Sequence, residues 1–175
     1  MLALEPLIQA TIASALALLF ASAAIHKLRD WSRYRETLAN YRLLPLTLAP
    51  GGAVMVVAAE IAVVVGCVLP ATRSVAAAGG GGLLLLYAAA MSINLRRGRV
   101  LVDCGCGGFG QRQPLEWWMV RRNLLLATLA LLAALPVTMR DLGWSDLLIG
   151  ICASASAAGL YVAHAALFSH RHAGR

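Results

Sequence analysis

Four stretches of this chain, residues 7–25, 74–95, 123–139 and 147–169, contain no Asp, Glu, Lys or Arg, and a fifth, residues 43–72, contains only Glu60. The hydrocarbon core of a bilayer is about 30 Å thick, and a helix rises about 1.5 Å per residue, so roughly 20 apolar residues span it. All five stretches meet or approach that length. Of all residues, 60% are hydrophobic and 13% charged, whereas soluble domains average about 45–50% apolar and about 25% charged. A soluble domain of 175 residues has too much surface for its volume to hide that much apolar material. An ordinary soluble domain and a disordered chain are therefore excluded. The four cysteines, at 67, 104, 106 and 152, are too few and scattered for a disulfide scaffold.

The expected fold is all-α: an integral membrane bundle of five helices forming a single transmembrane domain over 1–175. The helices fall at about 6–27, 46–69, 74–96, 116–139 and 145–169, with the first four as core and the fifth beside them. Strands are excluded because the runs do not alternate and are rich in Ala and Leu. Pro70 ends the second helix, and Pro114 with Glu116 marks the start of the fourth. Ser145 is the expected cap of the fifth. The run Gly79–Gly80–Gly81–Gly82 lies inside an apolar helix, where it lets a neighbouring backbone approach. No positive region precedes the first apolar stretch, so it reads as a retained span rather than a cleaved signal.

The net charge of +7 acts first as a topology signal. Basic residues cluster in 27–42, in 96–122 and in the tail (Arg171, Arg175), which a five-helix zigzag places on one side. Only Arg73 and Arg140 fall on the other. The positive-inside rule then puts the amino terminus outside and the carboxyl terminus in the cytoplasm of a bacterial-type inner membrane. The partner implied is the lipid bilayer, whose anionic headgroups suit the basic loops. Nucleic acid is not implied, since no folded basic domain exists. Trp31, Trp117, Trp118 and Trp144 read as interfacial anchors.

Membrane insertion does not explain the segment Asp103-Cys104-Gly105-Cys106-Gly107-Gly108-Phe109-Gly110, expected as a loop between helices three and four. Gly105 and Gly107 free the backbone so that the two sulfurs can meet in a small strained ring. Strained, exposed disulfides are the readily reduced ones. Arg99 and Arg112 nearby favour thiolate and Asp103 opposes it. Three readings stay open: a redox dithiol, a soft-metal site, and two free thiols in a turn. For a metal site, two thiolates are soft ligands with His170 and His172 on the same expected side, but no further Cys-x-x-Cys completes a zinc set.

Glu60 is the other residue that insertion alone does not explain. A carboxylate inside a bilayer costs about 2.5–3.5 kcal/mol on insertion scales, so it should face the bundle interior. It is read either as a proton-transfer group coupled to thiol chemistry or as a hydrogen-bonding partner of Ser14 or Ser154. Lys27 is expected to snorkel to the headgroups. His26, beside it, is the candidate to take a proton from a thiol of the loop. Cys67 and Cys152 are read as core residues, or alternatively as an outer pair relaying electrons. That alternative matters because the charge rule puts Cys104 and Cys106 on the reducing, cytoplasmic face.

His26-Lys27 closing helix one, Tyr41-Arg42-Leu43-Leu44-Pro45 before helix two, Glu60, and Cys104-Gly-Cys106-Gly-Gly-Phe109-Gly together resemble the MauE family of methylamine utilisation proteins. DoxX-type membrane proteins are more loosely similar. The resemblance covers most of residues 8 to 140, and its cysteine motif carries one more glycine than the family's usual Cys-Gly-Cys-Phe-Gly. It implies an inner-membrane component with Cys104 and Cys106 as the redox pair, a thioredoxin-like partner, and a role in disulfide formation in an exported protein. A quinone cofactor is implied only by likeness to vitamin K epoxide reductase-type enzymes, and no residue here identifies its site. The expected function is thus thiol–disulfide exchange, with Cys104, Cys106, Glu60 and His26 as catalytic candidates. The alternatives are a soft-metal, copper-type binding protein and a non-catalytic subunit of a larger membrane complex.

Overall fold

The computed structural model describes residues 4–99, 115–138, 143–146, 148–156 and 159. Its helices in chain order are α1 (Pro6–Arg29), α2 (Trp31–Asn40), α3 (Ala49–Val68), α4 (Arg73–Arg96) and α5 (Trp117–Ala133). A 3₁₀ turn, Pro70–Thr72, joins α3 to α4. Residues 144–146 and 148–156 are also helical. Among the described residues, α1, α3 and the helix running from Pro70 to Arg96 are long and apolar enough to cross a membrane. At 17 residues, α5 sits at the lower limit of about 17 for a span.

Proline sets the helix starts: Pro6 and Pro50 occupy the first turns of α1 and α3, where a missing N–H costs nothing. The expected fourth helix ends at Ala133 rather than 139. Pro136 explains the difference, because it disfavours helical geometry at Leu135 before it. At the fifth segment the expected Ser145 cap gives way to Asp146, whose Oδ2 accepts the Gly143 N–H at 2.9 Å. This is the acidic half of a capping box.

The main departure from expectation lies in the basic segment 27–42, expected as a loop. It contains α2, a ten-residue polar helix joined to α1 through Asp30. Asp30 breaks the ladder at φ −126°, ψ 65°, and its Oδ1 accepts the Arg33 N–H at 3.3 Å. One face of α2 buries Tyr34 against Ala53 and Val57 of α3. The polar composition conceals this helix from a search for apolar runs.

The four longest apolar elements close a ring: α1 packs on α3 and α5, and α4 packs on α3 and α5. The core between them holds Leu16, Phe20, Val63, Leu84 and Ala127. Two of the four consecutive glycines have close neighbours, and only Gly81 meets a backbone as expected, Ala127 O at 3.4 Å, while Gly80 meets side chains. A Cβ on Gly80 would lie 3.1 Å from Phe20 Cε2, and one on Gly81 would lie 3.2 Å from Leu131. Gly82 instead faces open space. At one end of the ring, Gln9 Nε2 donates to Ser74 Oγ (2.9 Å) and to Ala133 O (3.0 Å). Leu4 and Val137 complete that end through an isolated parallel bridge, in which Leu4 N–H donates to Pro136 O and Thr138 N–H donates to Leu4 O. The start of α1, the start of α4 and the end of α5 therefore meet there. The ends of α1 and α4 and the start of α5 share the opposite end.

Candidate functional site

Near that opposite end the bundle interior contains two charges. Glu60, the twelfth residue of α3, is fully buried, and Lys27, two residues from the end of α1, is 5% exposed. Lys27 Nζ donates to Glu60 Oε1, forming a buried ion pair. The same oxygen accepts from the Tyr87 hydroxyl of α4 at 2.7 Å. Lys27 Nζ also lies 5.4 Å from the ring centroid of Tyr34 and 5.3 Å from that of Tyr87. The ammonium is thus held by a carboxylate and two aromatic faces, from α1, α2, α3 and α4 together.

Chain direction explains why these side chains meet. A helical side chain leans toward its own helix's amino terminus. Lys27, near the end of α1, leans back into the bundle. Glu60 sits on the antiparallel α3 and leans the other way, toward Lys27. Tyr87, on α4, runs parallel to α1 and leans as Lys27 does. Breaking α1 at Asp30 rather than extending it holds Tyr34 beneath the ammonium.

Neither charge is tolerable alone in this position. An unpaired ion in a low-dielectric interior carries a desolvation penalty of several kcal/mol, offset here by the partner, the hydroxyl and the rings. Glu60 Oε2 is buried and has no hydrogen-bond partner among the described residues. The carboxylate therefore keeps one unused acceptor inside the bundle.

These contacts revise two sequence expectations. Lys27 does not snorkel; its ammonium is drawn inward because Glu60 offers a stronger partner than the interface. Glu60 uses Lys27 and Tyr87 rather than a serine, and Ser14 Oγ donates instead to Ala10 O of its own helix at 2.8 Å. His26 is half-buried at the end of α1, and its carbonyl accepts the Asp30 N–H. Cys67 is buried in the core and Cys152 is exposed, and both are free thiols. Cys104 and Cys106 lie outside the described residues, as do His164, His170 and His172. Among the described residues no cluster of three or more His, Cys, Asp or Glu is arranged to hold a metal.

Sequence reasoning missed Tyr87 and Tyr34. A signal for Tyr87 was present, since it is the only hydrogen-bonding side chain in the run from 75 to 91. Tyr34 gave none, because its role depends on a break in the helix. The α4 end that leads toward the cysteines also buries polar groups. Asn94 is fully buried with Oδ1 unpartnered among the described residues, and Asn123 is 2% exposed.

Comparison with known proteins shows relatives along most of the chain's length. The family described as methylamine utilisation protein MauE matches residues 5–136. The methylamine utilization protein MauE of Paracoccus versutus is 41% identical over 150 residues, covering 85% of this chain and 81% of that protein. Its counterpart in Methylorubrum extorquens is 41% identical over 152 residues, covering 86% and 81%. The Paracoccus denitrificans protein of the same name is 35% identical over 156 residues, covering 86% and 83%. No solved structure matches the chain. A match over residues 5–136 takes in α1 to α5 and the cysteine segment. The chain is a multi-pass membrane protein that belongs to the MauE family of methylamine utilisation proteins.

Proposed function

We propose that this protein is a membrane thiol–disulfide redox component in methylamine utilisation, exchanging electrons with a thioredoxin-like partner through Cys104 and Cys106. The observation that carries the reading is the Cys104-Gly105-Cys106 spacing in the glycine-rich stretch between α4 and α5. That stretch leaves α4 at the end of the bundle where α1 carries His26 and Lys27. In the forward direction, a thiolate of a partner dithiol attacks the Cys104–Cys106 disulfide and forms a mixed disulfide. The partner's second thiolate then displaces this chain's cysteine. The partner becomes a disulfide, and Cys104 and Cys106 become a dithiol that has gained two electrons and two protons. Delivery of that disulfide to an exported protein then needs a relay to the outer face, the alternative role of Cys67 and Cys152.

Each residue in the reading has one task. His26 exchanges a proton with the thiol nearest to it. Glu60 serves as the interior proton acceptor, linked to Tyr87 on one oxygen and carrying a second, unused oxygen. The reading places the amino terminus outside and the carboxyl terminus in the cytoplasm, in line with the clustering of basic residues.

Trapping tests the reading. Cys104→Ser and Cys106→Ser, expressed singly in a methylotroph growing on methylamine, are expected to abolish growth, and one is expected to accumulate a mixed disulfide with a thioredoxin-like protein. If neither variant traps a partner and the purified protein carries stoichiometric copper, the soft-metal alternative replaces it. If both variants grow normally, the protein is a non-catalytic subunit. Labelling single-cysteine variants with a membrane-impermeant maleimide in intact cells reports the side of Cys106, with protection expected.

A further inference from the structure

A second feature, independent of the thiol reading, lies where α2 passes into α3. From Tyr41 to Leu48 the chain reads Tyr-Arg-Leu-Leu-Pro-Leu-Thr-Leu and forms turns rather than helix. Arg42 turns the chain at φ 47°, a left-handed conformation uncommon outside glycine, and its N–H donates to Ala39 O at 3.0 Å. Leu48 N–H donates to Pro45 O at 2.9 Å and closes a second turn. The leucines that these turns present are exposed, Leu46 at 75% and Leu48 at 58%, with Leu43 beside them.

Their depth follows from what their neighbours touch. Tyr34 of α2 packs on Ala53 and Val57. Leu44 Cδ1 and Leu38 Cδ2 lie 2.8 and 3.5 Å from where a Cβ on Gly52 would stand. Gly52, Ala53 and Val57 all fall in the first turns of α3, which starts at Ala49, within about 12 Å of its beginning. α2 and the turns after it therefore lie across the bundle where a membrane-spanning helix begins. The exposed leucines continue the apolar outer surface of α3, on which Val54 and Met55 stand exposed. Partly buried Trp31 and exposed Arg35 and Arg42 suit the headgroup level beside them. Asp30 and Glu36 are exposed in the same stretch, so apolar contact rather than net charge is what this surface offers.

α2 itself has few internal supports. At ten residues it is shorter than the roughly 12–15 at which an isolated helix begins to hold in water. Its one buried side chain is Tyr34, whose ring lies 5.4 Å from Lys27 Nζ. We propose that the bilayer surface holds α2 in place. Leu43, Leu46 and Leu48 insert at the boundary between headgroups and acyl chains. α2, fixed between them and the break at Asp30, is then a lid that keeps water from the Lys27–Glu60 pair. The partner is the phospholipid surface at that end of the bundle, whatever its headgroup, because burying leucine requires hydrocarbon and no particular polar group.

Depth-resolved quenching of the full-length protein in phosphatidylcholine nanodiscs tests the placement. Leu46→Trp and, separately, Leu48→Trp add one fluorophore at an exposed position, read as the difference from the emission of the unmodified protein. Lipids brominated near the headgroup are expected to quench that difference more than lipids brominated near the chain ends, and iodide in the buffer is expected to leave it nearly unchanged. Iodide quenching of both variants as strong as that of free tryptophan overturns the proposal and makes the leucines a water-facing patch for a protein partner. Stronger quenching by the deep bromines overturns it as well, since the segment would then be re-entrant. Tryptophan itself favours the interface, so a second arm adds no aromatic. The double variant Leu46→Asp/Leu48→Asp is expected to speed amide exchange of α2 severalfold in the same nanodiscs, with the Gln9 end of α1 unchanged. Exchange in α2 that stays as slow as in the unmodified protein overturns the lid, as does acceleration spread through the whole bundle.

Discussion

Lys27 and Glu60, 33 residues apart in sequence, form an ion pair inside the helix bundle, with Lys27 5% exposed and Glu60 fully buried. The pair ties α1 to α3, and Tyr87 ties both to α4. Both charges lie inside the bundle, so the pair's worth depends on both partners being present.

Glu60→Gln removes the counter-charge and leaves the Lys27 ammonium buried. Breaking a buried pair from one side costs about 3–5 kcal/mol. The expected result is a markedly lower unfolding midpoint in a detergent titration. The double variant Lys27→Met/Glu60→Leu should recover most of that loss, because two apolar residues of similar volume need no partner. Equal stability of Glu60→Gln and the unmodified protein would mean the pair carries nothing.

Tyr87→Phe isolates the hydroxyl. It deletes the 2.7 Å hydrogen bond to Glu60 Oε1 but leaves the ring beside Lys27. A hydrogen bond to a charged group contributes about 1.5–3 kcal/mol. The loss should therefore be smaller than for Glu60→Gln, measured by the same titration. Tyr87→Leu, which also removes the ring, should lose more than Tyr87→Phe.

At the opposite end, Gln9 is 6% exposed and donates to both Ser74 Oγ and Ala133 O. Gln9→Leu keeps the bulk and leaves two acceptors without this donor. A buried polar group left unsatisfied costs about 1–3 kcal/mol. Hydrogen exchange should show faster opening of the ends of α1, α4 and α5 that meet there, with the Lys27–Glu60 end unchanged.

Two glycines should respond oppositely to the same substitution. A Cβ on Gly66 of α3 would lie 2.7 Å from Ala76 Cβ of α4. Neither atom can rotate away, so Gly66→Ala must push the helices apart, at about 1–3 kcal/mol. Gly82 has open space around its position inside α4, so Gly82→Ala should stabilise by about 0.5–1 kcal/mol through helix propensity alone. Thermal unfolding of the two variants side by side separates a packing glycine from a lipid-facing one.

Much of this architecture was legible in the residues. Long uncharged runs mark spans because every charge left in lipid costs free energy, and three such helices appear where expected. Proline marked the connection at Pro70. That signal is local, so it survives without tertiary information. Glu60 stood out because an acid in an apolar run needs an account, and the fold buries it completely.

The sequence by itself determined that the chain enters a membrane as helices, and that Glu60 must face inward to do so. It also placed Cys104 and Cys106 in the stretch between two of those helices. Only the tertiary structure decided what Glu60 meets. Lys27 sits at a helix end, where snorkelling to water is the local solution. It is drawn inward because antiparallel helices aim the two side chains at each other and the break at Asp30 sets Tyr34 beneath them. A partner's direction is a property of packing, and no local pattern in the 24 residues of α1 or the 20 of α3 encodes it.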